Sequence, residues 1–215
     1  MTASGFSAVL LAMALYGVLH SVLASHTVKR LLAHRLGEAW VQRYYRLLFS
    51  LLGGLTLLPV LGLMVLLPDS ILYRLNWPWL GLSLAAQGLG VWIVWRGLRA
   101  TGAMAFLGLP QALGQMPALP SRLVTEDVYA LMRHPLYTGS LLALWFMPLM
   151  TWNLLAFNLA ATAYFIIGAR LEEAKLRAEF GTAYVDYARR TPMFIPRPGA
   201  LVRALCRCSG WRWLS

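Results

Sequence analysis

Five apolar runs divide the chain. The first extends from about Phe6 to Ala24 and is interrupted only by Ser7, Tyr16, His20 and Ser21. A polar stretch follows, carrying His26, Lys29, Arg30, His34, Arg35, Arg43 and Arg46. The second run covers about Leu47 to Leu67. A linker from Pro68 to Pro78 leads into a third run, about Trp79 to Trp95, that stops at Arg96 and Arg99. Trp77 and Trp79 suit an interfacial aromatic belt. Leu136 to Met150 and Leu154 to Ala169 are the last two runs, separated only by Thr151, Trp152 and Asn153. So short a connection predicts a tight helical hairpin. Most of these runs approach the roughly 20 residues that span a hydrocarbon core, and the fourth is short for one.

Two segments break this rhythm. Thr101 to Pro135 is dense in Gly and Pro and holds Arg122, Glu126, Asp127 and Arg133. It is too polar to span, and a loop of this length usually serves function. From Arg170 the pattern turns amphipathic and predicts a helix leaving the bilayer, with Gly181 as an interruption and the prolines of Thr191 to Pro198 as its end. The tail from Gly199 mixes Arg203, Arg207 and Arg212 with Leu201, Leu205, Trp211 and Trp213, a composition that suits an anionic surface.

Composition agrees with a membrane protein. Of 215 residues, 59% are hydrophobic and 13% charged, and the mean hydropathy is +0.61. An ordinary soluble domain carries roughly 25% charged residues. The net charge of +11 fits the positive-inside rule and anionic lipid, and no nucleic-acid-binding motif accompanies it. With five spans, every Lys and Arg except Arg74 falls on one side. That bias predicts an N-terminus outside and a C-terminus in the cytoplasm. Cys206 and Cys208, the two cysteines, then face the reducing side. The N-terminus lacks the charged start and cleavage site of a signal peptide. The expected fold is an all-α integral membrane protein of about five transmembrane helices with a cytoplasmic C-terminal helical cap.

This topology brings the loop before the hairpin and the helix after it to the same side. Arg133 and His134 then approach Glu172 and Glu173, a plausible site for a polar ligand. Simpler readings exist for each residue. Arg133 and His134 suit interfacial anchoring. The glutamates have Arg170, Lys175 and Arg177 within helical reach. Tyr184 and Tyr187, three apart, suit ordinary packing, and Arg189, Arg190 and Arg197 suit lipid phosphate. His20, alone in a span, reads as a histidine bonded across helices, and Gln87 and Asn158 as interhelical hydrogen-bonders. His26 and His34 lack a carboxylate to complete a metal set, and no metal site is expected.

The segments YALMRHPLYTG (Tyr129 to Gly139), EEAKLRAEFGTAYVDYARRTP (Glu172 to Pro192) and MFIP (Met193 to Pro196) resemble the isoprenylcysteine carboxyl methyltransferase superfamily. There RHPxYxG precedes a helical hairpin, followed by EE, FGxxYxxY and a terminal proline. LHSVLASHTVKRLL (Leu19 to Leu32) and FLGLPQALG (Phe106 to Gly114) resemble its NnrU and methanethiol S-methyltransferase branch. The composite is specific where no single element is.

The resemblance implies methyl transfer from S-adenosylmethionine by an integral membrane enzyme. It assigns cofactor binding to Arg133, His134, Pro135, Tyr137, Gly139, Glu172 and Glu173, and residue chemistry adds Tyr184 and Tyr187. Glu172 and Glu173 suit the cofactor's ammonium or ribose, and Arg133 or Arg190 its carboxylate. Arg190 also suits lowering the pKa of a thiol acceptor, so Arg190 and Glu173 are the candidate catalytic pair. The expected organisation is a membrane region over 1–100, a methyltransferase core over 101–198 and a basic tail over 199–215. A small thiol or other lipophilic acceptor, membrane lipids as surroundings and the bacterial inner membrane complete the reading. Its rivals are a phospholipid or isoprenylcysteine methyltransferase and a non-catalytic NnrU-type protein tied to nitrogen-oxide metabolism.

Overall fold

Hydrocarbon offers no partner to a backbone amide, so each apolar run satisfies its own as a helix. The computed structural model describes residues 5–115 and 122–199. The elements in order are α1 (Phe6–Leu23), α2 (His26–Leu36), α3 (Glu38–Leu66), β1 (Ile71–Arg74), α4 (Trp79–Thr101), α5 (Ala103–Leu107) and α6 (Leu109–Ala112). A 3-10 turn (Asp127–Ala130) then precedes α7 (Pro135–Trp145), β2 (Leu149–Thr151), α8 (Trp152–Phe180) and α9 (Thr182–Arg190). The expectations for the tail, including Cys206 and Cys208, lie outside the described residues, as do Pro117 and Pro120.

Three helices, α1, α3 and α8, are long and apolar enough to cross a membrane. The chain is thus a mostly helical integral membrane protein. Its outer face confirms the solvent: Val65 and Leu66 are 83% and 82% exposed, and leucines such as Leu11, Leu15, Leu55 and Leu58 are exposed along the same helices. Water would penalise so continuous an apolar surface, whereas lipid does not. Met13, Val60 and Ala161 close the small core between α1, α3 and α8.

The elements depart from the apolar runs in three places. α3 starts at Glu38, well before Leu47, because Gly37 at φ +91° breaks the chain and the residues after it, Arg43 and Arg46 included, are sound helix formers. α7 has only 11 residues, about 17 Å of helix, so the run to Met150 finishes as irregular chain and β2. That strand pairs antiparallel with β1, a two-stranded sheet in an otherwise helical protein. α8 crosses from apolar to polar sequence as one helix of 29 residues. Thr151 caps its start, accepting from the Leu154 amide at 3.2 Å, and Gly181 at φ +54° ends it.

α4 and α7 pack tightly because both carry glycine at the crossing. A Cβ on Gly139 would lie 2.5 Å from the Gly90 carbonyl oxygen, and one on Gly90 equally close to that of Gly139. Small residues at a helix crossing allow this approach. Side-chain amides bind the same region: Gln87 donates to the Ala143 carbonyl at 3.1 Å and Asn158 to that of Leu144 at 2.9 Å. At the opposite end of the bundle, the Asp69 carboxylate accepts from the Asn153 amide at 3.1 Å. The Asn153 side chain faces the last carbonyls of α3, and the Gly5 amide donates to Pro68 at 2.7 Å.

Candidate active site

Proline sets the site's local geometry. Pro135 opens α7, a position suited to its missing N–H, and it keeps His134 out of the helical region. Residues 133 and 134 therefore run beside the segment after α9. The Arg133 amide donates to the Pro192 carbonyl at 2.9 Å and that of His134 to Met193 at 3.1 Å. The Thr138 hydroxyl adds a bond to the Phe194 carbonyl at 3.0 Å. This pairing aims both side chains at α8.

The two glutamates of α8 divide the work because neighbours on a helix point about 100° apart. Glu173 faces inward, with a side chain 5% exposed. Its Oε1 lies 2.6 Å from Arg133 Nη2 and 2.7 Å from Nε, and 3.3 Å from His134 Nε2. Its Oε2 accepts from Arg177 at 3.2 Å. Arg133 also donates through Nη1 to the carbonyls of Ala188 and Thr191, so nearly all its N–H groups are used. Glu172 faces outward with a side chain 50% exposed. It accepts from the Tyr137 hydroxyl at 3.2 Å and lies 3.6 Å from His134 Nδ1.

Aromatic rings floor the exposed carboxylate. His134 stacks on Tyr137 with centroids 5.4 Å apart, and Tyr137 on Phe165 at 5.1 Å. Phe194, in the strap formed by residues 191–196 after α9, packs against His134 at 5.8 Å. On α9, Tyr187 donates to the Tyr129 carbonyl at 2.7 Å. Tyr184 is buried, with its hydroxyl next to the Glu173 carboxylate. Burial, with the Glu173 carboxylate beside it and Arg133 opposing, pushes the Tyr184 phenol up to about 12. Burial and Glu172 push Tyr129 up to about 12, and burial raises Tyr187 too. All three phenols are donors at neutral pH.

The structure thus brings Arg133, His134, Tyr137, Glu172, Glu173, Tyr184 and Tyr187 together. Pro135 and Gly139 serve the geometry: the first starts α7, the second admits α4. Arg190 lies elsewhere. It is on the exposed side of α9 with its Nε on the Asp186 carbonyl at 3.1 Å, and no ion pair or hydrogen bond joins it to either glutamate among the described residues. Arg133, expected at a cofactor carboxylate, is committed to Glu173 and the end of α9. Phe165 and Phe194 were not singled out from sequence. Phe165 precedes Glu172 by seven residues, two helical turns, and that spacing was the available signal.

The phospholipid methyltransferase family matches residues 78–183, from the start of α4 to the start of α9, the part that holds both glutamates. Methanethiol S-methyltransferase 2 of Bradyrhizobium diazoefficiens is 34% identical over 205 residues, covering 87% of this chain and 72% of that protein. The chain belongs to the methanethiol S-methyltransferase family. It is accordingly a membrane methyltransferase. Methanethiol S-methyltransferase 1 of the same organism is 31% identical, over 87% of this chain and 65% of its own length, so the chain spans just under two thirds of that relative. The wider superfamily shows in a protein-S-isoprenylcysteine O-methyltransferase B of Arabidopsis thaliana, 38% identical over 78 residues, 35% of this chain and 36% of that one. No solved structure matches the chain.

Proposed function

We propose that the chain transfers the methyl group of S-adenosylmethionine to a small thiol, methanethiol being the acceptor its relatives' names carry. The observation that supports the cofactor is the division between the glutamates. A buried, fully paired Glu173 holds the site together, and an exposed Glu172 stands beside stacked rings. That donor set fits a ligand carrying an ammonium and a sulfonium, since carboxylates and aromatic faces both attract cations. The Tyr184 hydroxyl, beside Glu173, is a further buried donor within the same cluster.

In this reading Glu172 holds the ammonium or the ribose hydroxyls, and Tyr137 and His134 present their shared stack. The bound cofactor supplies an electrophilic methyl group on sulfur. Arg133 and Glu173 are positioning residues: they fix the strap, α8 and α9 and keep His134 oriented. Arg190 has no part in the reaction here. In-line displacement gains from alignment and dryness more than from a strong base, which suits a site built of packed rings and protonated phenols.

The same reading extends to topology. The three long helices, α4, and α7 continued by 146–151 make five crossings, with the site and the helical cap formed by α9 in the cytoplasm and the N-terminus outside, in a bacterial inner membrane. The region 1–100 then carries the first three crossings and 101–198 the methyltransferase core.

Calorimetric binding of S-adenosylhomocysteine to the purified chain tests the proposal. Wild type should bind in the micromolar range, and Glu172→Ala and His134→Ala should each weaken binding about tenfold or more, ~1.4 kcal/mol. Folded wild type that binds nothing in detergent and in lipid would favour the non-catalytic reading. With binding established, dimethyl sulfide formed from methanethiol supports the thiol acceptor. Methylation of phosphatidylethanolamine or prenylcysteine in its place overturns it.

A further inference from the structure

A second cavity lies next to the glutamates: it reaches α8 at Lys175, which follows Glu172 by three residues and shares its face of the helix. α1, α2, α3 and α8 line a half-open cavity of about 550 Å³ with an apolar floor that includes Tyr16, Phe49 and Leu57. Its rim carries Lys29, Arg46 and Lys175, and no carboxylate lines it among the described residues. A thiol of two heavy atoms needs roughly 60 Å³, twice the ~30 Å³ share of a water molecule. It would fill about a ninth of this space, whereas drug-sized ligands occupy cavities of about 300–1,000 Å³. The cavity is therefore built for something larger than the proposed acceptor.

Charge narrows the occupant. The Lys29 ammonium sits 5.4 Å over the Tyr45 ring. Neither it nor Lys175 has an ion-pair partner among the described residues. Burial, then the nearby charges of Lys175 and Arg46, pull Lys29 below its ordinary pKa. Like charges crowded at one mouth favour an anion and repel an amine, which disfavours an ethanolamine headgroup. The floor is apolar and belongs to two membrane helices, so the anion carries a hydrocarbon part. His20 closes the inner wall, its ring 4.4 Å from Phe49. It was expected to bond across helices, yet its buried Nδ1 has no hydrogen-bond partner among the described residues. Gly53 leaves room for that ring, since a Cβ there would stand 3.0 Å from His20 Cε1.

We propose that this cavity binds an anionic phospholipid, with its phosphate between Lys29 and Lys175 and an acyl chain on the floor formed by Tyr16, Phe49 and Leu57. Basic pockets between membrane helices are known to take such headgroups. None of Arg133, His134, Tyr137, Glu172 and Glu173 lines the cavity, and the proposal does not depend on the methyl-transfer reading.

Native mass spectrometry of the full chain from detergent tests it, with phosphatidylglycerol, phosphatidylcholine, oleate and inorganic phosphate as probes. Phosphatidylglycerol should be retained at least about tenfold more strongly than phosphatidylcholine or oleate, ~1.4 kcal/mol. The double variant Lys29→Gln, Lys175→Gln should abolish that preference. Gly54→Leu fills open space, since nothing lies within 4 Å of a Cβ at Gly54, and should reduce retention with every charge in place. Both variants should keep the wild-type melting temperature and affinity for S-adenosylhomocysteine. Equal retention of phosphatidylcholine or oleate overturns the proposal, as does unchanged retention by Gly54→Leu. Competition by inorganic phosphate at equal concentration would reduce the site to a free-anion site. Mole-for-mole displacement by S-adenosylhomocysteine would make it part of the cofactor site.

Discussion

The ends of α8 and α9 and the mouth of the α1–α3 cavity both gather cations at the polar end of the bundle, but they treat them oppositely. Around Glu173, Arg133 and Arg177 meet one buried carboxylate within 3.2 Å, and backbone carbonyls take the remaining Arg133 donors. At the cavity, Lys29 and Lys175 line the wall with no ion-pair partner among the described residues. The difference teaches how to separate structural charge from ligand-binding charge. A buried ion pair with its hydrogen bonds filled organises the protein, and removing one partner is costly. Cations left without carboxylates beside an apolar floor await something from outside. The same division recurs within one dipeptide, between Glu173 and Glu172.

The largest expected effect comes from breaking the organised half. Glu173→Ala strands Arg133, whose side chain is 12% exposed, and should cost about 3–5 kcal/mol, read as a large drop in the thermal midpoint in detergent. A Gly139→Ala substitution pushes a methyl against backbone that cannot turn aside and should cost about 1–3 kcal/mol by the same measurement. Changing Glu172 to Gln sharpens the contrast between neighbours. It should weaken S-adenosylhomocysteine about tenfold, ~1.4 kcal/mol, while the midpoint stays within about 1 °C; a midpoint loss comparable to that of Glu173→Ala would erase the distinction. The smallest effect is a pH dependence. Tyr184 is raised to about 12 in the folded protein, against an ordinary value of about 10. Below pH 10 the phenol is protonated folded or unfolded, so it contributes no slope. Between about 10 and 12 only the unfolded chain ionises, and stability falls as pH rises. Tyr184→Phe should flatten that fall.

Much of the candidate site was legible because its residues sit in short segments whose spacing and chain order bring them together. RHPxYxG and EE, separated by two apolar runs, had to meet at one end of the bundle. The division between Glu172 and Glu173 was not legible, because it depends on the angle at which α8 presents itself to the strap. The partners of Arg133 were not legible for the same reason: an arginine near a ligand site and one bonded to a carboxylate and two carbonyls look alike in sequence. Runs of apolar residues located the helices but not their ends. α7 stops at Trp145 although leucine and methionine continue, since pairing with β1 takes over. The Gly90–Gly139 approach and the cavity were invisible, as each needs residues from distant helices.

The bonds at the far end of the bundle have a mechanical meaning. Asn153 and Asp69 fasten the top of α8 to the end of α3, Gly5 ties in α1, and β1 with β2 holds α4 to the same knot. The knot sets the spread of α1, α3, α4 and α8 the way a buckle sets the spread of the bands it joins. It lies at the end remote from both the carboxylate site and the cavity, so it fixes where their walls stand without contributing a side chain to either.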